Sequence, residues 1–138
     1  MDNKQLENII SQALDRHKYG SLATVEQNKP KARYMAIFHD GLKIHLATDR
    51  KTHKVEELRQ NPNAYLLIGF EGTGPKELIE IEGTAAITKN EHLRKSLWND
   101  EMKQWFDGPD DPDYIILDIT PSRIVYAGKD KERHVWEG

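Results

Sequence analysis

An antiparallel β-barrel, closed or partly closed and flanked by a few helices, is the fold class this chain predicts. Three observations carry the expectation. Several segments alternate apolar and polar residues with the period of a strand. Short, turn-rich connections join most of them. Helical spacing is confined to residues 3–18, 52–60 and 90–106. A doubly wound parallel sheet would need a helix between nearly every pair of strands, so it is set aside. Six antiparallel strands with long alternation suit a barrel better. With 138 residues, the chain is expected to form one domain, 1–138.

In residues 3–18, Leu6, Ile9, Ile10, Ala13 and Leu14 share one helical face, and Gly20 suits the helix stop. Residues 21–25 read as a strand and 27–30 as a turn. Residues 32–38 form the second strand, and His39, Asp40 and Gly41 make a tight connection to the third, 42–47. That third strand sets Leu42, Ile44 and Leu46 on one face and Lys43, His45 and Ala47 on the other. The helix at 52–60 buries Val55 and Leu58 and stops before Asn61-Pro62, because proline disfavours helix in the residue before it. Residues 64–70 are apolar and strand-like, 71–75 a loop, and 77–88 a long strand bent near Gly83. Residues 90–106 form the third helix, with Leu93, Leu97, Trp98, Met102, Trp105 and Phe106 on its apolar side. After a loop at 107–113, a final strand pair spans 114–119 and 123–127, and Trp136 falls in a tail expected to fray.

Composition narrows the function. The hydrophobic fraction is 37%, the charged fraction 31% and the formal charge −3, which argues against a dedicated nucleic-acid binder. The absence of cysteine excludes disulfides, thiolate metal sites and cysteine nucleophiles. No apolar run reaches membrane-spanning length and the N-terminus lacks a secretory pattern, so a cytoplasmic location without membrane contact is the expectation. The histidines show no metal-ligand spacing, and no serine sits in a nucleophile elbow. Asp110, Asp111 and Asp113 read as a solvated turn, since the rest of an EF-hand loop is missing. No metal site and no catalytic side chain are assigned.

The most informative stretch is 47–58, where a strand ends at Ala47-Thr48 and a helix begins near Thr52. Thr48, Arg50, Lys51, Thr52, His53 and Lys54 gather hydroxyls and cations around the first amides of that helix. Those amides lack intrahelical partners and carry partial positive charge, so the place can serve as a socket for one phosphate group. A solvated basic turn with Thr52 as N-cap explains the same residues. Arg33 and Met35 share a face of the second strand and can reach the same spot, whereas a surface cross-strand ion pair is the plainer role for Arg33.

Leu22-Ala23-Thr24-Val25, Arg33-Tyr34-Met35, Asp40-Gly41, Ala47-Thr48 and Thr52-His53-Lys54-Val55 occur in an order and spacing that resemble a known family. So do 58–63, Ile81-Glu82-Gly83-Thr84-Ala85, Trp105-Phe106-Asp107-Gly108 and Asp111-Pro112-Asp113-Tyr114. The chain is similar, over 18–120, to the flavin mononucleotide (FMN)-binding split barrels related to pyridoxamine 5′-phosphate oxidase, and most to the general stress protein 26 group. The resemblance implies a six-stranded antiparallel split barrel, a homodimer with FMN at the subunit interface, and flavin-dependent oxidoreductase activity. By carry-over, Arg33 and Met35 lie beside the isoalloxazine or ribityl chain, and Ala47 and Thr48 touch the ribityl-phosphate region. Thr52, His53 and Lys54 grip the phosphate, Arg50 joins them, and Trp105 approaches the flavin ring from the partner subunit. A reduced nicotinamide is a candidate hydride donor, although no dinucleotide fingerprint is present.

Two departures matter. His53 within the grip implies pH-dependent phosphate affinity. Residues 128–138 lack the tryptophan-and-arginine pattern that serves the oxidases' vitamin substrate, so pyridoxamine phosphate oxidation is not expected. Besides the oxidoreductase, the sequence allows a non-catalytic flavin carrier or redox/stress sensor, a pocket for deazaflavin or haem, and, least in keeping with its charge, a nucleic-acid contact through Arg50, Lys51 and Lys54.

Overall fold

Asp2 starts the first helix by a reciprocal pair of hydrogen bonds. Its carboxylate accepts from the Gln5 backbone N–H at 2.8 Å, and the Gln5 side chain accepts from the Asp2 N–H at 3.1 Å. The helix, α1 (Asn3–Leu14), buries Leu6, Ile10, Ala13 and Leu14. It ends earlier than expected because Arg16 and His17 leave it to reach Glu77, far along the chain. The Arg16 Nε and Nη2 atoms donate to the two Glu77 oxygens at 2.9 and 2.8 Å, and His17 Nε2 lies 2.8 Å from one of them. The Tyr126 hydroxyl adds a bond at 3.0 Å. Glu77 is buried, and the hydrogen bonds from Arg16 above all, with those from His17 and Tyr126, hold its carboxyl down at about 2.

The computed structural model describes residues 1–69 and 76–138. The loop expected at 71–75, and Phe70 before it, lie outside the described residues. Beyond α1 come β1 (Tyr19–Glu26), β2 (Lys29–Ala36), β3 (Phe38–Asp40), β4 (Lys43–Asp49), α2 (His53–Gln60), β5 (Asn63–Gly69) and β6 (Leu78–Thr88). Then follow α3 (Glu91–Leu97), a 3₁₀ helix (Asp100–Gln104), β7 (Tyr114–Ala127) and β8 (Arg133–Glu137). All ladders are antiparallel, in the order β2-β1-β5-β6-β7-β4-β3, with β8 added to β7. The split-barrel architecture is as expected; among the described residues the sheet has eight strands where six were expected.

Each difference has a local cause. The expected strand 32–38 breaks at Ile37, whose buried side chain and N–H, donated to the Lys18 carbonyl at 2.9 Å, bend the chain from β2 into β3. Gly20 is no helix stop. It lies within β1, where a Cβ would stand 2.8 Å from Ile68 Cγ1, so close packing across the sheet demands glycine. The β1–β2 turn is two residues, Gln27 and Asn28, both at positive φ, the geometry that matches the twist of a hairpin. The two last strands are one, β7, because Ser122 is accommodated as an extra residue where the register shifts opposite Glu82 and Gly83. The third helix breaks at Trp98 into α3 and the 3₁₀ helix. The tail does not fray: β8 pairs with β7, Trp136 is buried, and its indole N–H donates to Glu7 of α1 at 2.9 Å.

Two apolar clusters result. The larger fills the barrel, with Leu22, Ile44, Leu46, Leu66, Ile68, Ile79, Ile81 and Leu117 inside, α1 against one side and Leu58 of α2 at the end. The smaller lies on the other face of β4 and β7, where Met102 and Phe106 cover Tyr114 and Ile116, and Phe38 and Ala47 join its margin. Burial holds the Tyr114 phenol up at about 12.

The topology also dictates where the barrel opens. The terminal strands of the sheet, β2 and β3, are consecutive in sequence, yet no ladder joins them. Strand β3 pairs only with residues 43–45 of β4. The outer edge of β2 and the facing edge of 46–49 are therefore left without ladder partners, and such edges present free backbone donors and acceptors.

Candidate functional site

A cleft of about 740 Å³ lies at this seam. Its walls are Arg33 to Phe38 on one side and Ala47, Thr48 and Asp49 on the other, with Thr52 and Lys54 from the start of α2. Asn99 to Met102, Trp105 and Phe106 roof it from the 3₁₀ helix, and Lys18 and Tyr19 border it. No histidine lines it among the described residues.

Of the residues singled out in the sequence, Arg33, Met35, Ala47, Thr48, Thr52, Lys54 and Trp105 meet here. Arg50 and His53 do not line the cleft. Arg50 is turned to Asp113, its Nε donating to the carboxylate at 2.7 Å while its backbone N–H bonds the Asp113 carbonyl at 2.9 Å. Lys51 reaches the same carboxylate at 3.1 Å. These cations, first among them Arg50, hold the Asp113 carboxyl below its ordinary value. His53 is exposed and paired with Glu26. Trp105, at 68% exposed, and Tyr34, at 84%, both line the cleft of their own chain.

The start of α2 departs from the expected cap. Thr52 holds the N-cap position in extended backbone, but its side chain makes no capping bond. Its hydroxyl donates instead to the Asp49 carbonyl at 2.9 Å and accepts from Lys54 Nζ at 3.2 Å. The first amides of α2 are thus left without a side-chain acceptor. Lys54 is half-buried, and among the described residues it makes no ion pair. Burial, and then the neighbouring Arg33 charge, push its ammonium below the ordinary lysine value. Thr48 is buried at the same place, with a hydroxyl that finds no hydrogen-bond partner. A buried hydroxyl without a partner and an ammonium outside any ion pair, at a helix start without a side-chain cap, are together able to receive an anion.

Arg33 is not a surface cross-strand pair. Its Nη1 donates to Thr24 Oγ1 at 2.8 Å and approaches the Leu22 carbonyl at 3.4 Å, and its Nη2 meets Glu57 Oε2 at 3.3 Å. Glu57, on the buried side of α2, also receives Lys31 at 3.3 Å and the Thr24 hydroxyl. Burial alone would push its carboxyl up; the hydrogen bonds from Thr24 and Lys31 and the Arg33 charge prevail and hold it below the usual range. Sequence reasoning passed over Glu57 and Thr24. The available signal was an acid one position before Leu58, on the face of α2 that meets the barrel.

The chain is similar to several known proteins. The family model described as "Pyridoxamine 5′-phosphate oxidase" matches residues 6–127. General stress protein 26 of Bacillus subtilis (strain 168) is 41% identical over 132 residues, which cover 94% of each chain. The crystal structure of general stress protein 26 from Bacillus anthracis str. Sterne superposes with a TM-score of 0.84 at 32% identity, covering 94% of this chain and 98% of that one. At the level of the fold alone, a Nostoc punctiforme protein described as pyridoxamine 5′-phosphate oxidase-related and FMN binding matches with a TM-score of 0.68 at 14% identity, over 97% and 93% of the two chains.

Proposed function

Because the chain belongs to the pyridoxamine 5′-phosphate oxidase family, in its general stress protein 26 group, we propose that the seam cleft binds FMN and that the protein is a flavin-dependent oxidoreductase. One observation carries this reading: Thr48, whose buried hydroxyl has no hydrogen-bond partner, lines the same cleft as Lys54, a half-buried cation that makes no ion pair among the described residues. Lys54 supplies the charge, Thr48 and the first α2 amides the hydrogen bonds, for a phosphate monoester. Met35 and the strand around it form the wall along which the ribityl chain and ring would lie, Arg33 stands between that wall and the phosphate end, and the unpaired strand edges offer backbone groups to the ring's polar rim. Flavin, when bound, supplies the hydride and electron chemistry. The chain's own part is to anchor, orient and shield, and no side chain is assigned as acid or base. Arg50, tied to Asp113, and His53, tied to Glu26, fall outside this grip.

The functional unit in this reading is a homodimer. The unpaired edge of β2 and the exposed Tyr34 and Trp105 surround the cleft mouth, where a second copy would complete the ring site. The candidate donor is a reduced nicotinamide, and the acceptor is left open. Among the described residues no helix is long and apolar enough to cross a membrane. The alternative is a flavin carrier or redox sensor that binds the cofactor without turnover. Equilibrium dialysis with FMN tests binding; steady-state oxidation of NADH and NADPH by the loaded protein, with a panel of acceptors, separates the two readings. Turnover faster than an equal concentration of free FMN is expected, and turnover no faster than free FMN would reject the enzyme.

A further inference from the structure

Glu57 carries a buried charge that stands outside the cleft lining. It is 3% exposed, and burying a carboxylate is costly unless it is paired. Its close partners come from two strands beside the seam, Thr24 of β1 and Lys31 and Arg33 of β2. His53 stands further off, at 3.9 Å. Arg33 lines the cleft, whereas Glu57 and Thr24 do not.

A guanidinium has five N–H donors in a rigid fork. Both Nη1 donors of Arg33 are directed to Thr24 and Leu22, and one Nη2 donor to Glu57. Because the Thr24 hydroxyl itself donates to Glu57 Oε2, these two acceptors sit side by side, across the Nη1–Nη2 end of the guanidinium. The donors left over are Nε–H and the second Nη2–H. They project in parallel from one edge, the pair that grips two oxygens of a single oxyanion. With no further acceptor among the described residues, that edge is the one Arg33 can turn to a ligand in the cleft.

We infer that Glu57 is a positioning residue for the anion site: through Thr24 and directly, it clamps one end of the Arg33 guanidinium so that the Nε–Nη2 edge is held ready for a phosphate oxygen pair in the cleft. The inference rests on the proposed FMN reading for the identity of the ligand, but not for the orientation of Arg33. The guanidinium is preorganised before any ligand arrives, which lowers the entropy lost on binding.

Two measurements test it. In the ligand-free protein, the Arg33 Nε–H resonance, identified by its loss in Arg33→Lys, is followed by ¹⁵N NMR. It is expected to be resolved from the exposed arginines in the natural protein, because the guanidinium is held in one orientation, and to fall among them in Glu57→Gln; an unchanged resonance in Glu57→Gln would overturn the clamp. In the second, FMN dissociation constants are measured for the natural protein, Glu57→Gln, Arg33→Ala and the double variant. Glu57→Gln is expected to weaken binding about tenfold, and to add nothing in the Arg33→Ala background, because Glu57 acts through Arg33. The same factor in both backgrounds would mean a general structural role and would refute positioning. If the natural protein fails to bind FMN, the FMN reading falls alone, since the NMR arm still decides the clamp. Should Glu57→Gln not fold, Thr24→Val removes the bridging hydroxyl and is read by the same resonance.

Discussion

Replacing Lys54 by alanine removes the one half-buried cleft cation that makes no ion pair among the described residues. Replacing Lys51 removes a cation three residues earlier that is 65% exposed and already tied to Asp113 at 3.1 Å. The two substitutions change the formal charge equally, so their difference isolates position. For unit charges about 4 Å apart at an effective dielectric near 20, the attraction is about 4 kcal/mol. Desolvation of the ammonium and the phosphate takes back about half, which leaves roughly 2 kcal/mol, in the range of hydrogen bonds to charged groups. That is about a thirtyfold rise in the FMN dissociation constant for Lys54→Ala. For Lys51→Ala, whose ion pair is exposed, the change is expected to be about twofold or less. Quenching of flavin fluorescence, titrated at fixed ionic strength, reads both. Equal dissociation constants for the two variants would refute the reasoning, because charge alone, and not its place in the cleft, would then be responsible.

Titration of the same lysine gives a second outcome. A bound phosphate stabilises charged Lys54, so FMN affinity is full below the lowered pKa of the free protein and declines as pH rises through it; the decline, measured from neutral to about pH 10, should begin before an ordinary lysine titrates and should vanish in Lys54→Arg. Glu77 governs the acid side of stability. Its folded value of about 2 lies below the unfolded one, so its contribution, roughly 3 kcal/mol, is present above about pH 5 and lost as pH falls toward 2. Urea unfolding of Glu77→Gln should show lower stability at neutral pH and a flatter acid limb; an unchanged acid limb would remove Glu77 from that role. Trp136→Ala should cost about 3 kcal/mol in the same assay, since it opens the core beneath α1 and orphans Glu7. A loss within the scatter of surface substitutions would return residues 133–137 to a dispensable tail.

Strand alternation made most of the sheet legible, because a half-buried antiparallel strand writes its two faces directly into the sequence. It did so for β4, β5 and β6 to within a residue or two. What alternation cannot express is where a strand breaks or fails to break. Ile37 looks like any other core residue, yet its N–H is taken by Lys18 and the strand turns. Pro121 looks like a strand end, yet Ser122 is absorbed as a bulge and β7 runs on. The site was legible to the extent that its residues lie on strand or helix termini: Arg33, Met35, Ala47, Thr48, Thr52 and Lys54 gather as their spacing suggested. The roles of the cations were not, since a sequence cannot say which of them meets a carboxylate. Arg50 and Lys51 are claimed by Asp113, and His53 by Glu26, partners distant along the chain or across a hairpin. Glu57 escaped notice for the related reason that only the fold brings Thr24, Lys31 and Arg33 around it.

A cleft at the barrel seam that grips its ligand by a phosphate should distinguish FMN sharply from riboflavin, which presents the same ring and ribityl chain without the monoester. Titrating both into the natural protein and into Lys54→Ala is the most direct measurement. FMN bound about a hundredfold more tightly than riboflavin, with most of that advantage gone in Lys54→Ala, is the result expected from charge-assisted contacts of this number. Riboflavin bound as tightly as FMN, or neither bound at all, would contradict the account.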